Sequence, residues 1–294
     1  MTGLEATPPL IRSTVKSADG TTIAYSAIGT GAPVIVVGGA LRAGNDYIRF
    51  AQELASKGFL VYVIERRGRG ESGPQGPAYS VDKECEDLLA IQIESGATAV
   101  FGHSYGGLVA LELARRTTVF SRIAVYEPGV SIHGSIPVAW LPSYREYLAA
   151  GDTRGAFACM ARGAGFAPGA LVKMPFWYAR AILRIVIRRR EWQEMEPLLE
   201  PNLAEHEQVA AMDDGSVDRY RSVAADVLML GGDRSPSRMT TDIFTQLQRV
   251  LATSTVEILP GLDHVAPSEK AATVVAARVA DFLTSVPART VTRR

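Results

Sequence analysis

The residues of this chain best suited to chemistry are a serine between glycines and a histidine far downstream of it. The serine is Ser104, in Gly102-His103-Ser104-Tyr105-Gly106. The pattern G-x-S-x-G is short, and its weight comes from its setting. "TAVFGHS" before it reads as a buried strand, and "LVALELARR" after it as a helix. A serine at such a junction sits on a tight, strained turn, where small residues on both sides relieve the crowding. Its hydroxyl is then lifted above the sheet edge, at the positive end of a helix.

A serine needs a base to become a nucleophile. The chain has His103, His133, His206 and His264. His103 is next to the serine in the same turn, so its side chain points elsewhere. His133 and His206 fall in a helical stretch and read as surface or lining residues. His264, in "ILPGLDHVAP", lies in a loop between the last strand and the last helix. Parallel sheets gather ligands at the carboxyl ends of their strands, and Ser104 and His264 both follow strands. A developing oxyanion needs donors as well. "VIVVGGALRAG" ends a strand at Gly38-Gly39-Ala40. The backbone N–H groups of Ala40 and of Tyr105, the residue after the serine, are the expected pair.

The elements that must position these residues repeat a strand–helix order. "TTIAYSAIG", "VIVVGGA", "LVYVIERRGRG", "TAVFGHS", "RIAVYEPG", "VLMLGG" and "TVEILPG" read as strands. "YIRFAQELASKGF", "VDKECEDLLAIQIESG", "LVALELARR", "MTTDIFTQLQRVL" and "KAATVVAARVADFL" read as helices. Strands that are apolar throughout indicate a parallel sheet covered on both faces. The rhythm breaks after Gly129. From about 131 to 222 only helical pieces rich in aromatics and arginine follow, among them "AWLPSYREYLAAG", "TRGAFACMARGAG" and "PFWYARAILRIVIRRREWQEM". The division expected is a sheet body over residues 1–130 and 223–294, with a helical cap over 131–222 inserted into it. The tail "VPARTVTRR" is expected to fray.

Composition narrows the class. The chain has 294 residues, 47% of them hydrophobic, and a formal net charge of zero. No global field draws it to nucleic acid or to an anionic membrane. No stretch is apolar enough to span a bilayer, and the N-terminus lacks the pattern of a secretory signal. Cys85 and Cys159 are far apart and show no metal-ligand spacing, so neither a disulfide framework nor a metal is expected. The expectation is a cytoplasmic monomer or homodimer that acts on a small molecule without a cofactor.

The motifs "GTTIAYSAIGTGAPVIVVGGA", "IERRGRGES", "FGHSYGG" and "LPGLDHVAP", in this order, resemble those of the α/β-hydrolase family over nearly the whole chain. The resemblance implies an α/β fold with a mostly parallel, eight-stranded sheet flanked by helices, and a variable helical cap after the sixth strand. It also implies a triad acid, for which two candidates stand. Many members carry it after the seventh strand, where "VLMLGGDRSP" offers Asp233, one position short of the G-x-x-D spacing from Gly231. A subset that includes haloalkane dehalogenases and zearalenone-type lactone hydrolases carries it after the sixth strand. There "IAVYEPG" offers Glu127, 23 residues beyond Ser104. A glutamate ending a buried strand needs a partner, and a catalytic histidine would be one. Glu65, in "VIERRGRGES", reads as structural, and Asp263 as a loop residue.

Dehalogenases and epoxide hydrolases of this fold use aspartate where Ser104 stands. The resemblance therefore implies a serine hydrolase (esterase or lactonase) that cleaves an apolar, medium-sized ester or lactone through an acyl-enzyme. A cyclase, lyase or cofactor-free oxygenase is the alternative on the same scaffold, and a non-catalytic binding protein a further one. Trp140, Trp177, Trp192, Phe166, Phe176, Tyr178 and Met174 give the cap its apolar character. One or two of them are expected to line the pocket. Arg188-Arg189-Arg190 reads as a solvated helix face, with an acidic substrate or carrier as the sharper alternative.

Overall fold

The computed structural model describes residues 9–165 and 172–285. The readings of Phe166 and of the tail lie outside them. The strands are β1 (Ile11–Lys16), β2 (Thr22–Gly29), β3 (Ala32–Val37), β4 (Phe59–Ile64), β5 (Ala99–His103), β6 (Arg122–Tyr126), β7 (Asp226–Gly232) and β8 (Thr253–Leu259). Before β6 come the helices α1 (Ile48–Ser56), α2 (Val81–Ser95) and α3 (Tyr105–Ala114). Between β6 and β7 come α4 (Leu141–Ala149), α5 (Thr153–Gly163), α6 (Phe176–Val186), α7 (Arg189–Met195) and α8 (Leu199–Ala211). After β7 come α9 (Thr241–Val250) and α10 (Ala272–Thr284).

The strands form one eight-stranded sheet in the order β1-β2-β4-β3-β5-β6-β7-β8. Only the β1–β2 and β2–β4 pairs are antiparallel. Side chains alternate between the two faces of the sheet. Ile35 and Val37 of β3 pack with Leu88 and Ile91 of α2 and Leu108 of α3. Val34 and Val36 pack with Phe50 and Leu54 of α1 and Val275 and Val279 of α10. Strands buried on both faces read as unbroken apolar runs, which is why these were visible in the sequence. β1 was not visible: its residues are almost all exposed, so no apolar pattern marks it.

The segment between β6 and β7 contains no strand among its described residues. It has a core of its own, built on Trp140, Leu141, Tyr144, Trp192 and Leu199. Its two ends are stapled together by Asp213. That carboxylate accepts from Ser131 Oγ at 2.7 Å, His133 N at 2.9 Å and Gly134 N at 2.8 Å. The run "PFWYARAILRIVIRRREWQEM" forms two helices rather than one. The backbone is extended at Ile187 and Arg188. Consecutive β-branched residues, Ile185 to Ile187, weaken the helix there, and Glu191 accepts from Arg188 N at 3.1 Å to start the next. No helix among the described residues is long and apolar enough to cross a membrane.

Candidate active site

Ser104 is the hinge between β5 and α3, with φ 51° and ψ −118°. This left-handed backbone costs a non-glycine residue about 1–3 kcal/mol, strain that the surrounding packing must hold in place. The packing leaves no room for side chains around it. A Cβ on Gly102 would lie 2.6 Å from Gly106 O, and one on Gly106 would lie 2.3 Å from Val37 O. The glycines of the motif are thus required by close approach of backbone to backbone. Register carries the same geometry to the next strand. His103 pairs with Tyr126 in parallel, so Glu127 emerges beside Ser104. It too has a positive φ, 44°.

The structure brings Ser104, His264 and Glu127 together. His264 Nδ1 donates to Glu127 Oε2 at 2.8 Å. That leaves His264 Nε2 to accept from the Ser104 hydroxyl at 3.0 Å. Glu127 is fully buried, and its other oxygen accepts from Gly232 N at 2.8 Å. A buried carboxylate is tolerable only when its oxygens are partnered in this way. Asp233 is not part of the constellation. It is exposed, and its carboxylate accepts from Gly261 N at 2.7 Å, bracing the loop after β8. Chain direction explains the difference: Glu127 N donates to Leu230 O, which places Glu127 at the sheet edge, whereas Asp233 lies beyond that edge in a turn.

Sequence reasoning missed a second layer beneath these three. Tyr47 and His103 are buried. Gly39 N donates to Tyr47 Oη at 2.9 Å, and Tyr47 Oη donates to His103 Nδ1 at 2.6 Å. His103 Nε2 then donates to the His264 carbonyl at 2.7 Å. Burial pushes the Tyr47 hydroxyl up to about 12 and His103 well below the usual histidine range, so both are neutral. Tyr126 Oη holds the neighbouring carbonyl of Asp263 at 2.8 Å. The backbone carrying His264 is therefore pinned at two consecutive carbonyls.

A buried arginine fixes the loop after β3. Arg66 Nη1 donates to Gly39 O at 3.2 Å and to Gly38 O at 3.4 Å. Because the peptide is trans and planar, the Ala40 N–H points away from that guanidinium. Gly39 itself lies against Ser104, since a Cβ on it would sit 3.1 Å from the serine Cβ. Neither the Ala40 nor the Tyr105 amide has a protein acceptor among the described residues. Arg66 makes two bonds to Glu84, at 2.9 and 2.7 Å, and a third to Glu205 of α8 at 3.0 Å. Glu205 also binds Arg69 at 2.5 Å. Burial opposes the charge on Arg66, but Glu205 and Glu84 outweigh it and raise its pKa well above the usual value. The available signal was a pair of arginines directly after an apolar strand, which burial makes dependent on distant carboxylates.

The helical segment sits over this edge. Leu41 packs against its core cluster. His206 of α8 lies edge-to-face on Trp140, 5.0 Å between centroids, and donates from Nδ1 to Asn202 O at 2.9 Å. Burial lowers its pKa, outweighing the raising effects of the Asn202 carbonyl and the Glu205 carboxylate. His133 lies away from the site, in the loop closed by Asp213. Glu65 accepts from Gly44 N at 3.1 Å. Cys85 and Cys159 are free thiols. Among the described residues, no three His, Cys, Asp or Glu side chains gather so as to hold a metal ion.

His103 and His206 make stability depend on pH. Each has its folded pKa lowered by burial, so the unfolded state binds more protons. Their contribution is whole above the unfolded pKa of about 6.5 and is lost as pH falls, at about 1.4 kcal/mol per pH unit each until the folded pKa is reached. Urea unfolding at pH 7.5 and at pH near 5.5 should show this loss, and His206→Phe should reduce its slope. An unchanged midpoint across that range would contradict it.

A profile of the Alpha/beta hydrolase family matches residues 34–278, well over half of the chain. The chain belongs to the Alpha/beta hydrolase family. An alpha/beta hydrolase from Sphaerobacter thermophilus has the same fold, with a TM-score of 0.76 at 28% identity over 92% of this chain and 100% of that one. A thermophilic esterase from Thermogutta terrifontis aligns with a TM-score of 0.69 at 20% identity over 93% of this chain and 98% of its own. At that identity the likeness is one of fold alone. A non-heme haloperoxidase of Rhodococcus erythropolis is 32% identical over 95 residues, 32% of this chain and 35% of the relative. The chain thus matches little more than a third of the length of its curated relatives. The hydrolase fold, with its eight-stranded and mostly parallel sheet, agrees with the reading of the sequence.

Proposed function

We propose that this protein is a serine hydrolase acting on carboxylic esters or lactones. The observation that carries the proposal is the line from Ser104 Oγ to His264 Nε2 at 3.0 Å and from His264 Nδ1 to Glu127 at 2.8 Å. Ser104 attacks the substrate carbonyl while His264 takes its proton. Glu127 orients the imidazole and stabilises its cation. The amides of Ala40 and Tyr105 receive the oxyanion, the second at the positive end of α3. His264 then hands the proton to the leaving alkoxide. Water enters, His264 takes one of its protons as the oxygen adds to the acyl carbon, and that proton returns to Ser104 Oγ as the acyl–serine bond breaks and the acid leaves. Every step uses groups of the chain, the substrate and water.

A serine at this position supports ester or lactone cleavage over epoxide opening, because its ester is cleared by attack at the acyl carbon. In this proposal the segment 131–222 is a cap. Its apolar cluster, with His206 on the underside of α8, excludes water and shapes the pocket. The esterase and haloperoxidase names belong to the relatives; the first agrees with this reading.

The test is a panel of p-nitrophenyl esters of increasing acyl length, simple lactones, an anilide and styrene oxide. Esters or lactones are expected to reach kcat/KM of about 10⁴ M⁻¹ s⁻¹ or more for the best substrate, with an initial burst of one p-nitrophenol per protein. The anilide should be far slower and the oxide untouched. Folded protein that turns over no ester or lactone would overturn the proposal, and cyclase, lyase or binding functions would then lead.

A further inference from the structure

The charge of the chain balances globally but not locally. From Val172 to Arg190 there are six cations, Lys173 and five arginines, and no carboxylate. The same stretch breaks the rule for apolar side chains. Among the described residues ten large hydrophobic side chains are exposed, and Val172, Trp177, Tyr178, Ile185 and Val186 are five of them. Trp177 is 71% and Ile185 82% exposed. Scattered exposed hydrophobics are ordinary, but a contiguous group marks a contact surface.

The arrangement follows from helical spacing. Phe176 and Ala179 hold α6 to the rest of the insertion, Phe176 by stacking on Tyr147. Trp177, Ala181 and Ile185 are spaced four apart and share the opposite, outward face. Arg180 and Arg184, also four apart, run along its flank. Arg180 is engaged by Asp152 at 2.7 Å and Arg190 by Glu194 at 3.0 Å. Lys173, Arg184, Arg188 and Arg189 have no acidic partner among the described residues.

We infer that the outward face of α6, with the arginines that follow it, docks on an anionic lipid surface. An aliphatic and aromatic stripe bordered by arginines is how a helix lies in a bilayer interface. Tryptophan and tyrosine settle at headgroup depth, and arginine stems cover apolar surface while their heads stay in water. A second copy of the chain fits less well, because a two-fold contact through this face would set its cations against one another. This surface lies outside the proposed catalytic groups, so it stands or falls apart from the hydrolase reading.

Vesicles of phosphatidylcholine with about a third phosphatidylserine test it. The full chain should co-sediment with them at low salt and be released at high salt. Its tryptophan emission should shift to the blue, because Trp177 is exposed whereas Trp140 and Trp192 are already buried. Arg184→Gln with Arg188→Gln should weaken partitioning by about 30-fold. Trp177→Ser with Ile185→Ser should abolish it, and neither pair should alter turnover of a soluble ester. Absence of binding by folded protein at low salt overturns the inference. So does binding that survives the Trp177 and Ile185 changes, which would show charge attraction to any acidic surface. A dimer in solution that Ile185→Ser converts to monomer would assign the face to a second copy instead.

Discussion

Ser104→Ala should lower the turnover of a good ester substrate by about 10⁶-fold, with a residual rate still above that in water. The chemistry is lost because the nucleophilic oxygen is removed and the free thiols are held elsewhere: Cys85 donates to Val109 O, with burial raising its pKa to about 12, and Cys159 donates to Trp140 O. The residual rate reflects what the Ala40 and Tyr105 amides and the pocket still do. Folding should survive, since alanine accepts the same backbone and removes one oxygen. If the serine only positions its substrate, as in a cyclase or lyase reading, Ser104→Ala would keep substantial turnover. Steady-state kinetics on the variant, beside a thermal melt, separates the two.

Glu127→Gln should cost about 10⁴-fold in kcat, while Asp233→Ala should leave kcat close to the parent value. The glutamine variant is the informative one. Glu127 Oε1 accepts from Gly232 N at 2.8 Å, and glutamine keeps an oxygen for that donor. Alanine would leave a buried N–H unpaired, costing about 1–3 kcal/mol of stability and mixing two effects. Glutamine's other end turns a donor toward His264 Nδ1, where the imidazole must itself donate. The ring is then driven to the tautomer that cannot take a proton from serine. Asp233→Ala loses only the bond to Gly261 N, a change in loop stability of about 1 kcal/mol. The reverse pattern, with Asp233→Ala inactive and Glu127→Gln active, would contradict the arrangement.

Local chemistry was legible in the sequence, and long-range pairing was not. The turn at Ser104 announces itself because strand, glycines and helix are contiguous. His264 was legible as a neighbour of Ser104 because it follows a strand in a parallel sheet. Glu127 and Asp233 could not be separated by counting residues. Their separation comes from strand order and register, with Tyr126 beside Leu230, and no local pattern encodes that. The same holds for Arg66, whose three partners arrive from the loop after β3, from α2 and from α8. His103 points away from the serine, as its place in the turn implies, but its position beneath His264 depends on Tyr47, 56 residues earlier. β1 escaped because an exposed edge strand carries no buried pattern. The arginine run after α6 read as a solvated face on its own; its exposed aromatic and aliphatic neighbours become visible only with the helix in place.

The most direct test of the central claim is labelling with a fluorophosphonate, followed by peptide mapping. Such a reagent captures serines whose hydroxyl is activated by a neighbouring base. The arrangement of Ser104, His264 and Glu127 predicts one adduct per chain, located on Ser104, and none on folded His264→Ala protein. No adduct on the folded parent protein, or an adduct on Ser104 that persists without His264, would contradict it.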